Sequence, residues 1–370
     1  MNFIVSTAFA IDGIAANELR SLGINNVQCK NNHVYFDGTI ADAAKACIWL
    51  RSADRVGLLL SSFNAYTFDE LFDNVSSIYW SDFLTRNSKI IVNARCVHSK
   101  LMSERDVQRI SKKAIINYLS KKYKTASFLE NGETVSINVS IYNDVASVIL
   151  DLCGDGLHKR SYRTLNAEAP LRETLAASLL LISKYHADNV FLDPFCGSGT
   201  LPIEAAMIAA NIAPGRNRAF LAENYSWAKN EFSFAKKETY CCETNNNYEI
   251  LCGDIDPNMV EITKFHAKNA GVKIKVMCRD ACKWDDIYHY QGLMVTNPPY
   301  GERLSNKNDV QALLKDFSYI TSRLLEQYWT LGIITPETDI EKLLCEKSIS
   351  KRKLFNSNIL CTYYQFKNST

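Results

Sequence analysis

Residues 190–200 read Val190-Phe-Leu-Asp-Pro-Phe-Cys-Gly-Ser-Gly-Thr200, and their order is the main evidence for the fold class. An apolar strand ends in an acid, a Gly-x-Gly turn follows, and a helix begins. The two glycines let the backbone approach a ligand where a Cβ would collide. Pro202 holds the third glycine position of the dinucleotide fingerprint. The pattern therefore favours a nucleoside without phosphate over NAD, with a plain tight turn as the alternative.

The rest of this half alternates strand and helix patterns. Candidate strands cover residues 190–193, 249–253, 273–278, 292–297 and 329–335. This order predicts an α/β fold with a doubly wound parallel sheet. Two more strands, at residues 351–355 and 359–366, flank the polar turn Asn356-Ser-Asn358. We therefore expect a C-terminal antiparallel hairpin to close the sheet.

Two further strand ends carry acids. Asp254 ends the second strand, where a carboxylate can accept hydrogen bonds from both hydroxyls of a ribose. Asp256 and Pro257 have the pattern of an N-cap and first helical residue, and the alternative is that both acids only cap the helix. Asp280 ends the third strand and is placed to accept from an adenine amino group, unless it is a loop carboxylate in water.

The fourth strand ends in Asn297-Pro-Pro-Tyr300, which predicts the catalytic segment. An amino group on an aromatic base is a poor nucleophile because its lone pair is delocalised. The Asn297 side-chain oxygen and the Pro298 carbonyl can both accept from one such amine and stabilise its developing charge. Pro298 and Pro299 stiffen the loop, and Tyr300 offers a face for stacking on an extruded base. A rigid turn is the alternative.

The first half of the chain contains shorter units. Strand and helix patterns over residues 1–64 predict an α+β module of ferredoxin-like type. Residues 65–153 form a second α/β module, with a helix at residues 103–122 and two strands joined by Asn143-Asp144, a hairpin signal. Residues 154–170 are predicted to link these modules to a domain over residues 171–370.

Composition restricts the remaining possibilities. Of the 370 residues, 47% are hydrophobic and the net charge is +2, so a polyanion-binding surface must be local. The twelve cysteines form no Cys-x-x-Cys pair, and we expect reduced, buried thiols and no metal site. We also expect a cytoplasmic protein, because no signal peptide and no apolar stretch near the ~20 residues of a membrane span are evident.

The four strand-end motifs together resemble the class I amino-methyltransferases. With Leu157-His-Lys-Arg-Ser-Tyr-Arg163 and Ala169-Pro-Leu-Arg-Glu-Thr-Leu-Ala-Ala177, nearly the whole chain resembles the THUMP-containing rRNA guanine-N2 methyltransferases. Ser161 departs from the glycine of that pattern. The resemblance implies a THUMP RNA-binding module at residues 65–153, S-adenosylmethionine as cofactor, and methylation of the exocyclic amine of a flipped guanine in ribosomal RNA.

The resemblance and the motifs together define the expected site. The catalytic residues are Asn297, Pro298, Pro299 and Tyr300. Asn297 also belongs to the cofactor site, with Thr174 near the methionine end, and the other expected cofactor residues are Asp193, Phe195, Cys196, Gly197, Ser198, Gly199, Thr200, Asp254, Ile255, Asp280 and Ala281.

Two basic clusters are the candidates for RNA contact. One is a face of the 103–122 helix, and the other lies beside the expected active site; their members are Arg105, Arg109, Lys112, Lys113, Lys159, Arg160 and Arg163. A solvated charged face is the alternative for the helix. The long connection at residues 211–248 is either an RNA-gripping flap or a structured insertion.

Three other functions compete. Asn-Pro-Pro-Tyr suits any planar amine, so a DNA adenine-N6 or a protein glutamine-N5 methyltransferase is the runner-up. The large N-terminal half with its basic helix argues against both. A non-catalytic RNA-binding assembly factor is the third alternative, and the intact Asp254 and Asn297 motifs argue against it.

Overall fold

A computed structural model of the chain describes residues 1–125, 127–165, 171–287, 291–300 and 307–368. The chain divides into two compact units. The first contains Met1–Thr7, Ala16–Leu157 and Ala219–Glu238, and the second contains Ala8–Ala15, His158–Arg218 and Thr239–Thr370. Each unit is built around its own sheet.

The first unit contains a seven-stranded sheet in the order β2-β3-β1-β4-β7-β6-β5. Only β5 and β6 pair in parallel; the other neighbours are antiparallel. The elements are β1 (Asn2–Thr7), α1 (Asp12–Ser21), β2 (Gln28–Lys30), β3 (His33–Asp37), α2 (Ile40–Trp49), β4 (Ala53–Asn64), α3 (Phe68–Ser76), β5 (Lys89–Val97), α4 (Glu104–Tyr123), β6 (Thr134–Tyr142) and β7 (Val145–Asp151).

Local sequence accounts for the best-defined features of this unit. Every second residue of β6 is buried, which is the pattern of a strand with one face on a core. Ser103 caps the start of α4, and its hydroxyl accepts from the Asp106 amide. Asn143 and Asp144 have φ values of 49° and 64°, as the primed hairpin turn between β6 and β7 requires.

The second unit contains the predicted doubly wound sheet, in the order β10-β9-β8-β11-β12-β14-β13. Neighbours from β10 to β12 are parallel, and β14 pairs antiparallel with β12 and β13, which confirms the C-terminal hairpin. The elements are α5 (Glu173–Ile182), β8 (Val190–Asp193), α6 (Thr200–Ala209), β9 (Ile250–Asp254), α8 (Pro257–Ala270), β10 (Lys275–Cys278), β11 (Gly292–Thr296), α9 (Lys307–Glu326), β12 (Thr330–Thr335), α10 (Ile340–Leu343), β13 (Ser350–Asn356) and β14 (Ile359–Lys367).

Two apolar cores lie on the two faces of this sheet. Leu293 and Val295 of β11 belong to a core shared with α5, α6 and α8. Met294, between them, belongs to a second core with α9. Because neighbouring strand residues point to opposite faces, this division shows that helices cover both faces of the sheet.

The long connection after α6 is a structured insertion. Its central segment belongs to the first unit and contains a 3₁₀ turn (Leu221–Asn224) and most of α7 (Lys229–Thr239). The Tyr225 hydroxyl donates to the Asp151 carbonyl at 2.9 Å, and the Trp227 ring contacts Phe83. Of the two alternatives left open by the sequence, the described residues therefore favour packing on the first unit over a free flap.

Two other expectations can be compared with the structure. All twelve cysteines are free, but five of them are exposed, so the expectation that they serve as buried apolar residues is wrong for Cys29, Cys241, Cys242, Cys278 and Cys345. Within the described residues, no helix is both long and apolar enough to cross a membrane.

Candidate active site

The strand order of the second unit creates one crevice. From β8 the chain continues to β9 and β10 on one side, and β11 then lies on the other side of β8. In such sheets ligands bind at the carboxyl ends of the strands where the order reverses. Asp193 ends β8 at this point, and Asn297 follows the last residue of β11.

The turn between β8 and α6 requires its glycines. Gly197 and Gly199 have φ values of 52° and 86°, in the left-handed region that favours glycine. A Cβ on Gly199 would lie 2.6 Å from the Thr263 side chain, whereas a Cβ on Gly197 would meet nothing within 4 Å. The Thr263 hydroxyl donates to the Gly197 carbonyl at 2.7 Å and fixes the turn. The backbone at Gly197 is therefore close to open space.

Asp193 is almost completely buried. Its Oδ1 accepts from the Thr296 hydroxyl at 2.7 Å and from the Phe195 amide at 3.2 Å. Burial raises the pKa of this carboxyl from 3.8 to about 7, and the neighbouring Asp254 carboxylate also raises it. The two acidic strand ends are thus electrostatically linked.

Asp254 and Asp256 have different roles. Asp254 accepts from the Gly197 amide at 2.9 Å and from the Asp256 amide at 3.0 Å, so it joins the end of β9 to the glycine turn. Asp256 caps α8 by accepting from the Asn258 amide, and Pro257 is the first helical residue. The alternative in which both acids only cap the helix therefore fails for Asp254.

Asp280 lies one strand further along the same edge of the sheet. Its Oδ1 accepts from the Cys282 amide at 3.0 Å, and Lys283 lies 3.8 Å from Oδ2. These contacts order the loop after β10 and leave the side chain half-buried. Both the adenine contact and the loop carboxylate remain compatible with this geometry.

The Asn297 side chain carries the most informative atom of the site. Its Oδ1 is buried and has no hydrogen-bond partner among the described residues. Buried polar oxygens are nearly always hydrogen-bonded in folded proteins, and an exception calls for an explanation. The oxygen that the sequence predicts to accept from a substrate amine is thus an unpaired acceptor next to buried Pro298.

Tyr300 is held from the C-terminal hairpin. The Asn356 side-chain amide donates to the Tyr300 hydroxyl at 2.7 Å, and the ring packs against the core of α5, α6 and α8. Pro299, like Tyr300, is half-buried. Residues 301–306 of the motif lie outside the described residues.

The other expected cofactor residues differ in how far they are exposed. Thr174 is buried in the first turn of α5, and Phe195 is half-buried with its ring against Phe317. Ile255 is 72% exposed. The remaining members are buried: Cys196, Ser198, Thr200 and Ala281.

Two predicted RNA contacts are structural instead. Arg160 is buried, with its Nε 2.9 Å from Oε1 of Glu204, which is also buried. Arg163 pairs with Glu173 and donates to the Thr200 hydroxyl and the Leu171 carbonyl, so it joins the beginnings of α5 and α6. Because both guanidiniums are engaged inside the unit, the prediction of RNA contact is wrong for these two. Lys159 is exposed.

The helix cations lie in the first unit. Arg105, Arg109 and Lys113 are exposed, and Lys112 is half-exposed. Arg109 pairs with Asp106 at 2.9 Å, and Lys112 pairs with Glu130 at 2.9 Å. The face is basic, but part of its charge is already balanced by its own acids.

Three positioning residues were missed by the sequence analysis. Thr296, which orients Asp193, immediately precedes the Asn297 motif, and its position at the strand end could have indicated the role. Glu204 and Asn356 had no such signal, because their partners are distant in the sequence.

Comparison with protein families supports this architecture. Residues 160–365 match a family model described as an RMKL-like methyltransferase domain, which covers more than half of the chain. The chain belongs to the RMKL-like methyltransferase family. Residues 2–57 match the RlmL ferredoxin-like domain, and residues 65–151 match the THUMP domain, so the predicted family resemblance is confirmed.

Two relatives show how the RMKL-like methyltransferase compares along its length. It is 38% identical to YpsC of Bacillus subtilis (strain 168), named as an RNA methyltransferase, over 98% of this chain and 95% of that protein. It is 30% identical to the ribosomal RNA large subunit methyltransferase K/L of Psychromonas ingrahamii over 99% of this chain. The chain spans only about half the length of that second relative, 50%.

Solved structures share the fold of this RMKL-like methyltransferase. A structure of SMU.472 complexed with SAH matches with a TM-score of 0.93 and 35% identity, over 100% of this chain and 98% of that one. A Listeria monocytogenes protein named as an N6-adenine-specific DNA methylase matches with a TM-score of 0.93 and 36% identity, over 100% and 96%. Both likenesses include the two units.

Proposed function

We propose that this protein transfers the methyl group of S-adenosylmethionine to the exocyclic N2 amine of a guanine in ribosomal RNA. The observation that carries the proposal is the buried Oδ1 of Asn297 at the carboxyl end of β11, which has no hydrogen-bond partner among the residues that the structure describes. Asn297 follows β11, which pairs with β8. The end of β8 carries Asp193 and leads into the glycine turn.

The residues present fit the cofactor. A carboxylate at the end of β9, Asp254, can accept from the ribose hydroxyls, and the space beside Gly197 is open. Asp280, further along the edge, can accept from the adenine amine. When bound, S-adenosylmethionine supplies an electrophilic methyl group. The SAH in the SMU.472 structure supports S-adenosylmethionine as the cofactor.

The chain's own groups act on the amine. Asn297 Oδ1 and the Pro298 carbonyl accept hydrogen bonds from the two N–H groups of the amine and stabilise the positive charge that develops on nitrogen as its lone pair forms the N–C bond. The S–C bond of the bound cofactor would break with its electron pair kept by sulfur, and the surplus proton of the methylated amine then passes to water. Because these acceptors are already in place, little reorganisation is needed. Tyr300 supplies a ring for stacking of the flipped base, and its hydroxyl is fixed by Asn356.

The choice of ribosomal RNA has separate support. YpsC and the K/L protein are named as RNA and ribosomal RNA methyltransferases, and residues 65–151 match the THUMP model. The first unit also exposes cations on α4. The name of the Listeria protein makes adenine-N6 in DNA the second candidate, since Asn-Pro-Pro-Tyr suits either amine.

The catalytic segment is tested by Asn297→Ala. Single-turnover methyl transfer should fall ~100–1000-fold, the usual effect of losing one preorganised acceptor, while cofactor binding by calorimetry stays near wild type. Asn230→Ala, on an exposed face of α7, is the matched control. Near-normal single-turnover rates in Asn297→Ala would show that this segment is not the catalytic centre.

The substrate is tested separately with labelled S-adenosylmethionine. Purified protein is incubated with rRNA and genomic DNA from cells that lack it, and the labelled nucleoside is identified by mass spectrometry. N2-methylguanosine in RNA supports the proposal. N6-methyladenine in DNA would instead support the second candidate, a DNA adenine-N6 methyltransferase.

A further inference from the structure

The first unit carries a groove of about 510 Å³ on its sheet. Its polar lining includes Ser6, His33, Arg55, Asn93, Arg95 and Asn138. Helix α4 packs on β5 and β6 at the face where the alternate, apolar residues of β6 are buried. The groove lies on the opposite face, and its volume falls in the ~300–1000 Å³ range of ligand sites.

The floor of the groove offers hydrogen-bonding side chains in register. In the parallel pair β5–β6, Asn93 lies opposite Asn138, and Arg95 lies opposite Ser140. The Asn93 amide donates to Asn138 Oδ1 at 3.2 Å and to Ser136 Oγ at 3.3 Å. Carboxamides and hydroxyls can both donate and accept, as the edges of bases and the ribose 2′-hydroxyl require.

The charge of the groove is positive. Arg95 is exposed and makes no hydrogen bond or ion pair with any residue that the structure describes. Arg55 is 45% exposed; it pairs with buried Asp151 at 2.7 Å and donates to the Gly154 carbonyl at 2.6 Å. Asp151 is therefore neutralised by Arg55, and the guanidinium of Arg95 is left to attract an anion.

The α4 face also carries cations: Arg105 and Lys113 are exposed, whereas two others are balanced by acids. On α4, Arg109 pairs with Asp106 and Lys112 pairs with Glu130. Surface ion pairs of this kind contribute little to stability, but a phosphate must compete with the acid for the same cation. The groove differs from the α4 face in placing a guanidinium beside carboxamide and hydroxyl side chains.

We propose that this groove binds a single-stranded segment of the substrate RNA. Arg95 contacts phosphate, and Asn93 and Asn138 contact base edges or ribose. A single strand fits because its unstacked bases can reach the side chains on the floor of the groove, whereas the base edges of a duplex are engaged in pairing. The inference rests on the proposed RNA substrate and adds where that RNA is held.

The test measures binding of a fluorescent 12-nucleotide oligouridylate by anisotropy over a series of KCl concentrations, with full-length protein. Arg95→Ala should weaken binding about tenfold, the equivalent of one lost charged hydrogen bond. It should also reduce the salt slope by about 1. Arg86→Ala, at an exposed arginine outside the groove lining, is the matched control and should change affinity less than twofold. An oligouridylate–oligoadenylate duplex should bind more weakly than the single strand.

Unchanged affinity in Arg95→Ala with a loss in Arg109→Ala would assign the RNA to the α4 face and overturn the proposal. Preferential binding of the duplex would also overturn it. Failure of the proposed function gives a different result. In that case no methyl label enters ribosomal RNA, but oligouridylate binding still depends on Arg95.

Discussion

Replacement of Asp193 by Asn should remove a pH dependence of stability. In the folded protein burial raises the pKa of the Asp193 carboxyl from 3.8 to about 7. The folded state therefore keeps this proton up to about pH 7, whereas the unfolded chain loses it near 3.8. The stability that this group contributes is complete below pH 3.8 and is lost as the pH rises to 7.

The magnitude follows from the shift. Each pH unit between the two pKa values changes the free energy of unfolding by ~1.4 kcal/mol. From pH 5 to pH 7 the wild type should therefore lose about 2 kcal/mol relative to Asp193→Asn, because the slope decreases as the folded carboxyl becomes half-ionised near pH 7. The asparagine keeps an oxygen that can accept from the Thr296 hydroxyl and the Phe195 amide, so these hydrogen bonds remain.

Native-state hydrogen exchange of slow amides in β8 and β11 measures this difference, with cofactor absent and intrinsic exchange corrected for pH. These strands report on the second unit alone. Other groups with shifted pKa values, such as His158 and Glu173, titrate in both proteins and cancel in the comparison. Equal pH slopes for wild type and Asp193→Asn would refute the reasoning.

Three further predictions concern the second unit. Asp254→Ala should weaken S-adenosylmethionine binding by ~1.5–3 kcal/mol, since hydrogen bonds to a charged group are lost; unchanged calorimetric affinity in a folded variant would reject the ribose contact. Asn356→Ala and Tyr300→Phe should lower single-turnover transfer to a similar extent, and the double variant should be no worse, because both remove the hydrogen bond between Asn356 and Tyr300; additive losses would show independent roles. Glu204→Ala should reduce the free energy of unfolding by ~3–5 kcal/mol, whereas Arg160→Met with Glu204→Met should recover most of it; equal urea stability of the two variants would contradict a buried ion pair.

The sequence predicted features that depend on neighbouring residues. The Gly-x-Gly turn, the Asn143-Asp144 hairpin and the Asp256 cap follow from local conformational preferences, and all three occur as expected. The strand ends of the parallel sheet follow from the alternation of strands and helices. Because parallel strands end at one edge, the positions of Asp254 and Asn297 could be predicted as well.

Features that depend on distant partners could not be predicted. Arg160 and Lys159 are adjacent and equally basic in sequence, yet one is buried against Glu204 and the other is exposed. A charge pattern does not reveal a counterion on another helix. The three-residue strand β2 was also missed, since it is too short to show alternation.

The assignment of Ala219–Glu238 to the first unit affects how the chain is synthesised and folded. During translation the strands of the first unit emerge first. The last segment of this unit, Ala219–Glu238, follows only after His158–Arg218 has left the ribosome. The first unit therefore cannot complete its packing as an independent N-terminal domain, unlike most proteins whose domains fold in order of synthesis. Until Tyr225 and Trp227 arrive, their partners Asp151 and Phe83 remain uncovered on the nascent chain. A nascent chain that has emerged from the ribosome as far as His158 should consequently present this surface to chaperones, and one that has emerged well beyond Glu238 should not.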